Sequence, residues 1–533
     1  MSSTYGAGSP AINLPGIPAT LAPSRVVTQM VRRASSIGFD AWWQRAQSVG
    51  FCAHPIQLVG TNEFGRETVV WVRCNNRRAS VCPSCSDLYA RDTWQLVAAG
   101  TSGGRHHIPA TVSTHPQVFA TLTAPSFGTV HGATGSVCRD HRRIGEFRRC
   151  PHQQPLWCSR THGHNDPSVG QPLCQDCYDY IGQVLFTWHL PELWRRFTIT
   201  LRRVVSRRLK AAGIQPKSVR VSFVKVVEMQ ARAVPHIHAL IRLDPAATTS
   251  DDHDDYGPAA TRGGGEHRHE TQPVWESPLS AAELATLTQQ AARTASFEVL
   301  DPSAHNHNRN RNRNRNETGT LVVRFGTQID TQPIADETPC VQGEPNATGS
   351  AERLSRRRVA GYLAKYVTKS LADFGISARR LSSEAVTDLP VTEYVRTILT
   401  TISDLAHRAR ELGIDTLTGI GRWLHTLGYR GHITTKSRRY STTMGKLRAI
   451  RATWTRQQVT NSGASQHDPI GVEHEALVDG DEVWWEFDRA GHATPGDRTL
   501  VVSAALRHIH TRRTALVEIR ALRTVHPPGA GDG

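Results

Sequence analysis

The sequence predicts an α+β protein in which an antiparallel sheet carries the functional site, accompanied by cysteine-rich modules and a helical C-terminal region. Three observations lead to this prediction. In several short runs, successive residues alternate between apolar and polar as they do along a strand. One late segment repeats apolar residues at helical spacing, and the cysteines cluster early in the chain. At 533 residues the chain is too long for one small domain, so several modules are expected.

Four runs are predicted as antiparallel strands with helices packed on one face, over residues 117–124, 219–230, 235–243 and 321–326. The second and third runs are close enough in sequence to form a hairpin. Within the third, His236 and His238 point to the same face, because successive strand residues alternate between faces. With residues 232–234 as the loop, Gln230 would face His236 and Glu228 would face His238.

Two imidazoles and one oxygen ligand on a shared face can bind a divalent metal ion. Of the two oxygen candidates we favour Glu228 over Gln230, because a carboxylate adds negative charge to the site. Taken alone, a His-x-His pair is equally consistent with two ordinary histidines at a strand end. The metal interpretation therefore depends on a second segment.

That second segment is a predicted helix over residues 353–370. Tyr362 and Tyr366 lie one turn apart and share a face, and Lys365 and Lys369 each follow one tyrosine by three residues. A tyrosine with its ordinary pKa of about 10 is a weak nucleophile at neutral pH. It becomes effective when a metal ion polarises the phosphodiester and a lysine neutralises the phosphotyrosine. In isolation, the same pattern is more typical of core tyrosines on a basic helix.

The cysteines predict two zinc clusters. In the first, Cys82 and Cys85 form a Cys-x-x-Cys pair with Cys74 and Cys52 upstream, a set suited to four-thiolate zinc. For the second cluster we favour the cysteines that repeat this spacing, with other nearby side chains as alternative ligands. The favoured set is Cys150, Cys158, Cys174 and Cys177, and the alternatives are Cys138, His152, His162 and His164.

Disulfides are the competing interpretation of these cysteines. The sequence shows no secretory signal pattern and no apolar run long enough to span a membrane, so we expect a cytoplasmic protein with no membrane partner. Cys-x-x-Cys pairs in a reducing compartment favour metal sites. The second cluster is predicted either to contact DNA phosphates through neighbouring arginines or to serve only as a structural staple.

The charge balance favours a nucleic-acid partner. The formal net charge is +16, and arginine, which binds phosphate in a bidentate manner, supplies most of the positive charge. The basic run at 356–358 would enter the site beside the scissile strand, although any single run is also explained as a solvated face. The sequence contains no Walker A pattern, so we expect no ATP-driven helicase within the chain.

The predicted organisation follows these composition shifts. Residues 1–37 are expected to be flexible, 38–105 to form a zinc-binding module and 115–372 to form the catalytic domain. That domain would contain a zinc insertion at 138–180 and a disordered insertion at 245–319, in which the acidic, glycine-rich and Arg-Asn runs cannot bury a core. One short helix, over residues 279–299, is expected within the second insertion. Residues 380–455 read as a helical, basic DNA-binding region, and 456–533 receive no assignment.

Taken in order, these blocks resemble the replication initiators of the HUH endonuclease superfamily, in particular the RepSA-like initiators of actinobacterial plasmids and integrative elements. The resemblance covers roughly residues 38–451. It is carried by the segments 119–125, 227–244 and 362–370, with further matches at 325–330 and 427–443.

The resemblance implies an RRM-like HUH catalytic palm and rolling-circle initiation. The protein would nick single-stranded or hairpin origin DNA with Mg²⁺ or Mn²⁺, keep the 5′ phosphate on a tyrosine, leave a 3′ hydroxyl for a host polymerase and later rejoin the strand. Tyr366 is the favoured nucleophile, because Tyr-Val-Thr-Lys is the usual form in the family. Tyr362 remains a candidate for the first or a second step. Ala233 stands where the family usually shows glycine.

Other classes stay open at this point. A transposase of the same superfamily would use the same chemistry on element ends. A non-catalytic, zinc-dependent DNA-binding regulator would keep the cysteine clusters and the basic runs, yet would have no need for a carboxylate and two histidines opposite a tyrosine helix.

Overall fold

The computed structural model describes residues 22–525 with several gaps. Outside the described residues within that range lie 63–64, 66, 134–136, 140–147, 164–165, 247–274, 303–318, 335–354, 369–373, 377–379 and 462–482. The chain divides into two compact units. The first comprises Met1–Thr93, Thr368–Ser370 and Thr443–Gly533, and the second comprises Trp94–Val367 and Leu371–Thr442.

The secondary structure mixes helices and strands along the whole described chain. The helices are α1 (Pro23–Ala34), α2 (Phe39–Ser48), α3 (Pro83–Ser102), α4 (Tyr180–Ala211), α5 (Ala281–Thr294), α6 (Arg356–Tyr366), α7 (Glu393–Glu411), α8 (Met444–Asn461) and α9 (Pro495–Val525). The strands are β1 (Ile56–Asn62), β2 (Glu67–Val72), β3 (Gln117–Leu122), β4 (Val219–Met229), β5 (Pro235–Pro245), β6 (Ser296–Leu300), β7 (Thr320–Arg324), β8 (Ile329–Pro333), β9 (Thr434–Lys436) and β10 (Val483–Ala490).

The second unit is built on a five-stranded sheet with the order β8-β3-β5-β4-β9, in which every pair is antiparallel. The α+β class with antiparallel sheets is thereby confirmed, and β3, β4 and β5 begin and end within two residues of the predicted strands. Apolar side chains of β5, such as Ile237 and Ile241, share one core with Leu185 and Phe197 of α4. The opposite face of β5 presents His236 and His238.

The fourth predicted strand, 321–326, is wrong as a member of this sheet. Its counterpart β7 pairs with β6, and the edge beside β3 is occupied by β8. Both runs have strand character, and packing decides between them: Leu321 and Val323 of β7 are buried in the core that contains α4. The short strand β9, which completes the other edge, had not been predicted.

The hairpin between β4 and β5 has a different register from the predicted one. Glu228 pairs with His236, and Val226 pairs with His238. The register is displaced by two residues, so Glu228 keeps its face, because side chains alternate with a period of two. The turn therefore comprises residues 230–234 rather than 232–234. Within it, Ala233 adopts φ 54°, and its amide donates to the carbonyl of Gln230 at 2.9 Å.

Segments whose roles were left open also acquire structure. Within the stretch expected to be disordered, residues 275–302 are described and include α5 and β6. In the first unit, the C-terminal strand β10 pairs with β1, which in turn pairs with β2. Residues of α9, including Val501 and Ala505, share a small core with Trp42 and Phe51.

Candidate active site

His238 is held in place from the two neighbouring strands, β3 and β4. Its Nε2 lies 3.0 Å from a carboxylate oxygen of Glu228 on β4, and its Nδ1 lies 3.2 Å from Oγ1 of Thr121 on β3. The ring lies parallel to that of Phe119, with centroids 6.0 Å apart. Contacts on both nitrogens and one face fix the orientation of this imidazole, as is usual for a metal ligand.

His236 is buried beside it and lacks a hydrogen-bond partner for Nε2 among the described atoms. Burial, followed by the nearby positive charge of Arg232, lowers the pKa of His236 to about 3. The ring is therefore neutral at physiological pH, the form in which an imidazole binds a metal ion. A buried nitrogen without a partner is costly in free energy, and a bound cation would remove that cost.

The side chains of Glu228, His236 and His238 have the donor chemistry of a divalent metal site. The two imidazole centroids are 6.5 Å apart. The three ligand atoms are less tightly gathered than those of the cysteine groups, whose atoms all lie within 4.8 Å of one another. Coordination of one ion by all three residues would therefore involve a side-chain movement.

Both tyrosines of α6 lie against His238. The hydroxyl of Tyr362 is 3.5 Å from Nε2 of His238, and their rings meet edge to face with centroids 5.1 Å apart. The ring of Tyr366 lies 5.6 Å from that of His238 and 4.4 Å from that of Tyr362. Burial and contact with Tyr366 raise the pKa of Tyr362 above its ordinary value. The hydroxyl of Tyr362 thus lies next to the histidine, whereas the sequence favoured Tyr366 as the nucleophile.

Of the two predicted lysines, only Lys365 lies among the described residues. The ammonium group of Lys365 lies 5.7 Å from the ring centroid of Tyr366, whereas Lys369 lies outside the described residues. Helix α6 begins after Ser355, whose hydroxyl accepts a hydrogen bond from the amide of Arg358 at 3.3 Å. This cap fixes where the tyrosine helix starts.

The turn that precedes the histidines is supported by residues that sequence reasoning missed. The hydroxyl of Tyr394 on α7 donates to the carbonyl of Arg232 at 2.6 Å, and the side-chain amide of Gln183 donates to the carbonyl of Ala233 at 3.0 Å. Tyr394 is separated from Arg232 by 162 residues, so no local pattern marks this contact.

The first cysteine cluster is brought together as predicted. The sulfur of Cys52 lies 3.8 Å from that of Cys82 and 3.6 Å from that of Cys85, and the amide of Cys74 points at it from 3.4 Å. These separations far exceed the S–S bond of about 2.0 Å in a disulfide. They match the spacing of about 3.8 Å between thiolates around one zinc ion.

The second cysteine cluster is not brought together as predicted. Cys150, Cys174 and Cys177 group with His152, whereas Cys158 belongs to a separate group that also contains other side chains, namely His131, Cys138 and His162. The prediction relied on Cys150 and Cys158 repeating the spacing of the first cluster. In the structure Cys158 pairs through its backbone with Arg139, which places it beside Cys138. His164 lies outside the described residues.

Comparison with known proteins adds independent findings. The chain matches the model of the RepSA family, described as "Replication initiator protein, pSAM2", over residues 38–506. A curated protein from Streptomyces ambofaciens, named "Replication initiator protein", is 32% identical over 532 residues, which cover 95% of this chain and 98% of the relative. No solved structure matches the chain. In the described part of the chain, every helix is too short or too polar to cross a membrane.

Proposed function

Because the chain belongs to the RepSA family of replication initiator proteins, we propose that it starts plasmid replication by cutting one strand of origin DNA with a tyrosine nucleophile. The five-stranded sheet of the second unit would be the HUH palm. Origin DNA, in single-stranded or hairpin form, is the proposed substrate. A host polymerase and a host helicase are the proposed partners.

One observation supports this proposal above all: the hydroxyl of Tyr362 lies 3.5 Å from the same imidazole nitrogen that lies 3.0 Å from Glu228. A core tyrosine needs no such neighbours. A nucleophile does, because its hydroxyl must reach a phosphate held at the metal site.

Glu228, His236 and His238 would hold Mg²⁺ or Mn²⁺, which when bound polarises the phosphate and stabilises the charge that develops on it. The tyrosine oxygen forms a bond to phosphorus while the bond from phosphorus to the 3′ oxygen breaks. The phenolic proton is balanced by the proton gained on the 3′ hydroxyl. The 5′ phosphate remains on the tyrosine, and the reverse reaction rejoins a strand.

Different arguments favour Tyr362 and Tyr366 as the residue that attacks first. Geometry favours Tyr362 for attack at the metal site, whereas the resemblance to the family favours Tyr366. Because their rings are in contact, with centroids 4.4 Å apart, the same site could use both in succession. Lys365, close to the ring of Tyr366, would offset the charge of a phosphotyrosine at that position.

The test is single-strand cleavage of oligonucleotides tiled across a candidate origin, with Mn²⁺ or Mg²⁺, resolved on a denaturing gel. The wild type should give a covalent protein–DNA adduct that EDTA abolishes. Tyr362→Phe or Tyr366→Phe should reduce the adduct to background for whichever residue attacks first, and the double variant should show none. Tyr89→Phe, a tyrosine of the first unit, is the matched control and should keep wild-type activity.

An adduct that persists in the double tyrosine variant would contradict the proposed nucleophiles. Tight origin binding without any adduct, in every metal condition, would instead indicate a DNA-binding regulator without nuclease activity. Cleavage of two element ends rather than one origin would indicate a transposase.

The Cys52, Cys74, Cys82 and Cys85 group is proposed as a structural zinc site of the first unit. Its side chains are buried or half-buried and offer thiolate ligands only, which is typical of closed zinc sites without catalytic chemistry.

A further inference from the structure

We propose that the insertion between β3 and α4 binds two zinc ions in two separate sites, where the sequence had suggested one. Site A consists of His131, Cys138, Cys158 and His162. Site B consists of Cys150, His152, Cys174 and Cys177. In each site the four ligand atoms all lie within 4.8 Å of one another.

The distances within each site are those of a tetrahedron around zinc. Bond lengths of about 2.3 Å to sulfur and 2.0 Å to nitrogen place a sulfur and a nitrogen about 3.5 Å apart. In site A, Cys158 lies 3.4 Å from His162 and Cys138 lies 3.7 Å from His131. In site B, Nδ1 of His152 lies 3.2 Å from Cys177 and 3.8 Å from Cys174.

Site A has a second feature of a zinc centre. The carboxylate of Asp166 lies 2.7 Å from Nδ1 of His162, while Nε2 of the same ring faces Cys158. A carboxylate on one ring nitrogen fixes the proton there and leaves the lone pair of the other free for a metal ion. The amide of Gly132 also points at the sulfur of Cys138 from 3.2 Å, as amides do toward thiolates.

The insertion has almost no apolar core of its own. Among its described residues from His131 to Cys177, the buried apolar side chains are the ligands Cys138, Cys150 and Cys174, together with Pro172. The backbone instead makes short local hydrogen bonds, such as the one from the amide of Cys150 to the carbonyl of Gln154 at 2.9 Å. A segment that buries so little apolar surface needs metal ions or disulfides to hold one conformation.

Disulfides do not account for the arrangement. All nine described cysteines are free, and each site pairs its sulfurs with at least one histidine, which a disulfide would not require. The reducing compartment expected from the sequence also favours metal ions over disulfides.

The order of the ligands along the chain shows how the two ions would act together. Two ligands of site A come first, then two of site B, then two of site A, and finally two of site B. Each ion therefore closes a loop that contains ligands of the other. Cross-bracing of this kind ties both ends of the segment together, because each ion restricts the loop that carries ligands of the other.

The test is the zinc content of the full-length protein after dialysis against metal-free buffer, compared among the wild type, Cys158→Ser, Cys174→Ser and the double variant. Two separate sites predict that each single variant loses about one zinc per chain and the double variant about two, relative to the wild type. Ser159→Ala, an exposed neighbour of Cys158, is the control and should lose none. A double variant that loses no more zinc than the single variants would overturn the proposal.

A milder variant distinguishes a weakened zinc site from unfolding of the insertion. Asp166→Asn keeps all eight ligands and removes only the carboxylate behind His162. It should release zinc from site A at a chelator concentration about 10–100-fold lower than the wild type, because the outer partner of a metal-bound histidine contributes that much affinity. Zinc release indistinguishable from the wild type would contradict site A. Neither measurement depends on the tyrosine chemistry.

Discussion

A buried ion pair at the end of β5 shows how single residues set the stability of the second unit. Arg242 is almost fully buried, and its guanidinium contacts Asp244 at 2.6 and 3.1 Å. Although burial by itself would raise the pKa of Asp244, His115 and Arg242 bring it below its ordinary value. The carbonyls of Gly100 and Tyr440 accept two further guanidinium hydrogens. The charge of Arg242 is thus satisfied only as long as Asp244 stays ionised.

We therefore expect Asp244→Asn to destabilise the protein by about 3 kcal/mol, because it leaves a buried cation without its counter-charge. The thermal unfolding midpoint, measured by tryptophan fluorescence, should fall by roughly 5–10 °C. Asp330→Asn, on the exposed side of β8, is the control and should shift the midpoint by less than about 2 °C. Equal shifts in both variants would show that the buried pair contributes nothing specific.

At the scale of elements, the insertion between β3 and α4 and the turn before the histidines are in direct contact. Gly170 has φ +85°, and a side-chain carbon placed there would lie 2.4 Å from the backbone carbonyl carbon of Ala231. The hydroxyl of Tyr178 lies 3.0 Å from the hydroxyl of Tyr394, which donates a hydrogen bond to the carbonyl of Arg232. The position of His236 therefore depends on elements distant in sequence.

Gly170→Ala should displace this turn and lower the affinity for Mn²⁺ and the rate of nicking at least tenfold. Gly213→Ala is a closely matched control, since Gly213 also has a positive φ of +74° but has nothing within 4 Å of the added carbon. Both variants should lose about 1 kcal/mol of stability from backbone strain, and Gly170→Ala should lose more because the added carbon also meets the backbone of Ala231. Only the first should lose metal affinity, measured by Mn²⁺ titration. Equal Mn²⁺ affinity in the two variants would show that the turn does not influence metal binding at the site.

At the scale of the whole molecule, described segments from the N-terminal and C-terminal parts of the chain fold together in the first unit. Strand β10 pairs with β1, and Val502 of α9 lies in the same buried cluster as Cys52 and Cys82. Arg512 of α9 also contacts Asp87 at 2.6 Å. The C-terminal residues, which the sequence left unassigned, therefore complete the surroundings of the four-cysteine site.

A chain ending at residue 482 lacks β10 and α9 and should lose the zinc proposed for the Cys52 group, because the apolar faces of α2 and of the cysteine loop are then exposed. Zinc content and limited proteolysis would measure this, with cleavage concentrated in residues 22–93. A chain ending at residue 525 keeps both elements and should behave as the full-length protein does. Retention of this zinc in the shorter chain would show that α9 is dispensable for the site.

The sequence by itself determined the features that depend on neighbouring residues. Alternation along a strand placed His236 and His238 on one face whatever the register, and Glu228 stayed on that face because the register moved by two residues. Helical spacing placed Tyr362 and Tyr366 together. The spacing of Cys82 and Cys85 was likewise enough to find the first cysteine site. Such periodicities are properties of the local backbone and survive errors in long-range pairing.

Only the tertiary structure decided which distant segments meet. It placed β8 rather than β7 at the sheet edge, divided the ligands of the insertion into two groups, and brought Tyr394 to the turn before His236. Each outcome depends on which pairing buries the most apolar surface and leaves the fewest polar groups without partners, summed over the whole unit. That sum cannot be read from the spacing of residues along a short stretch of sequence.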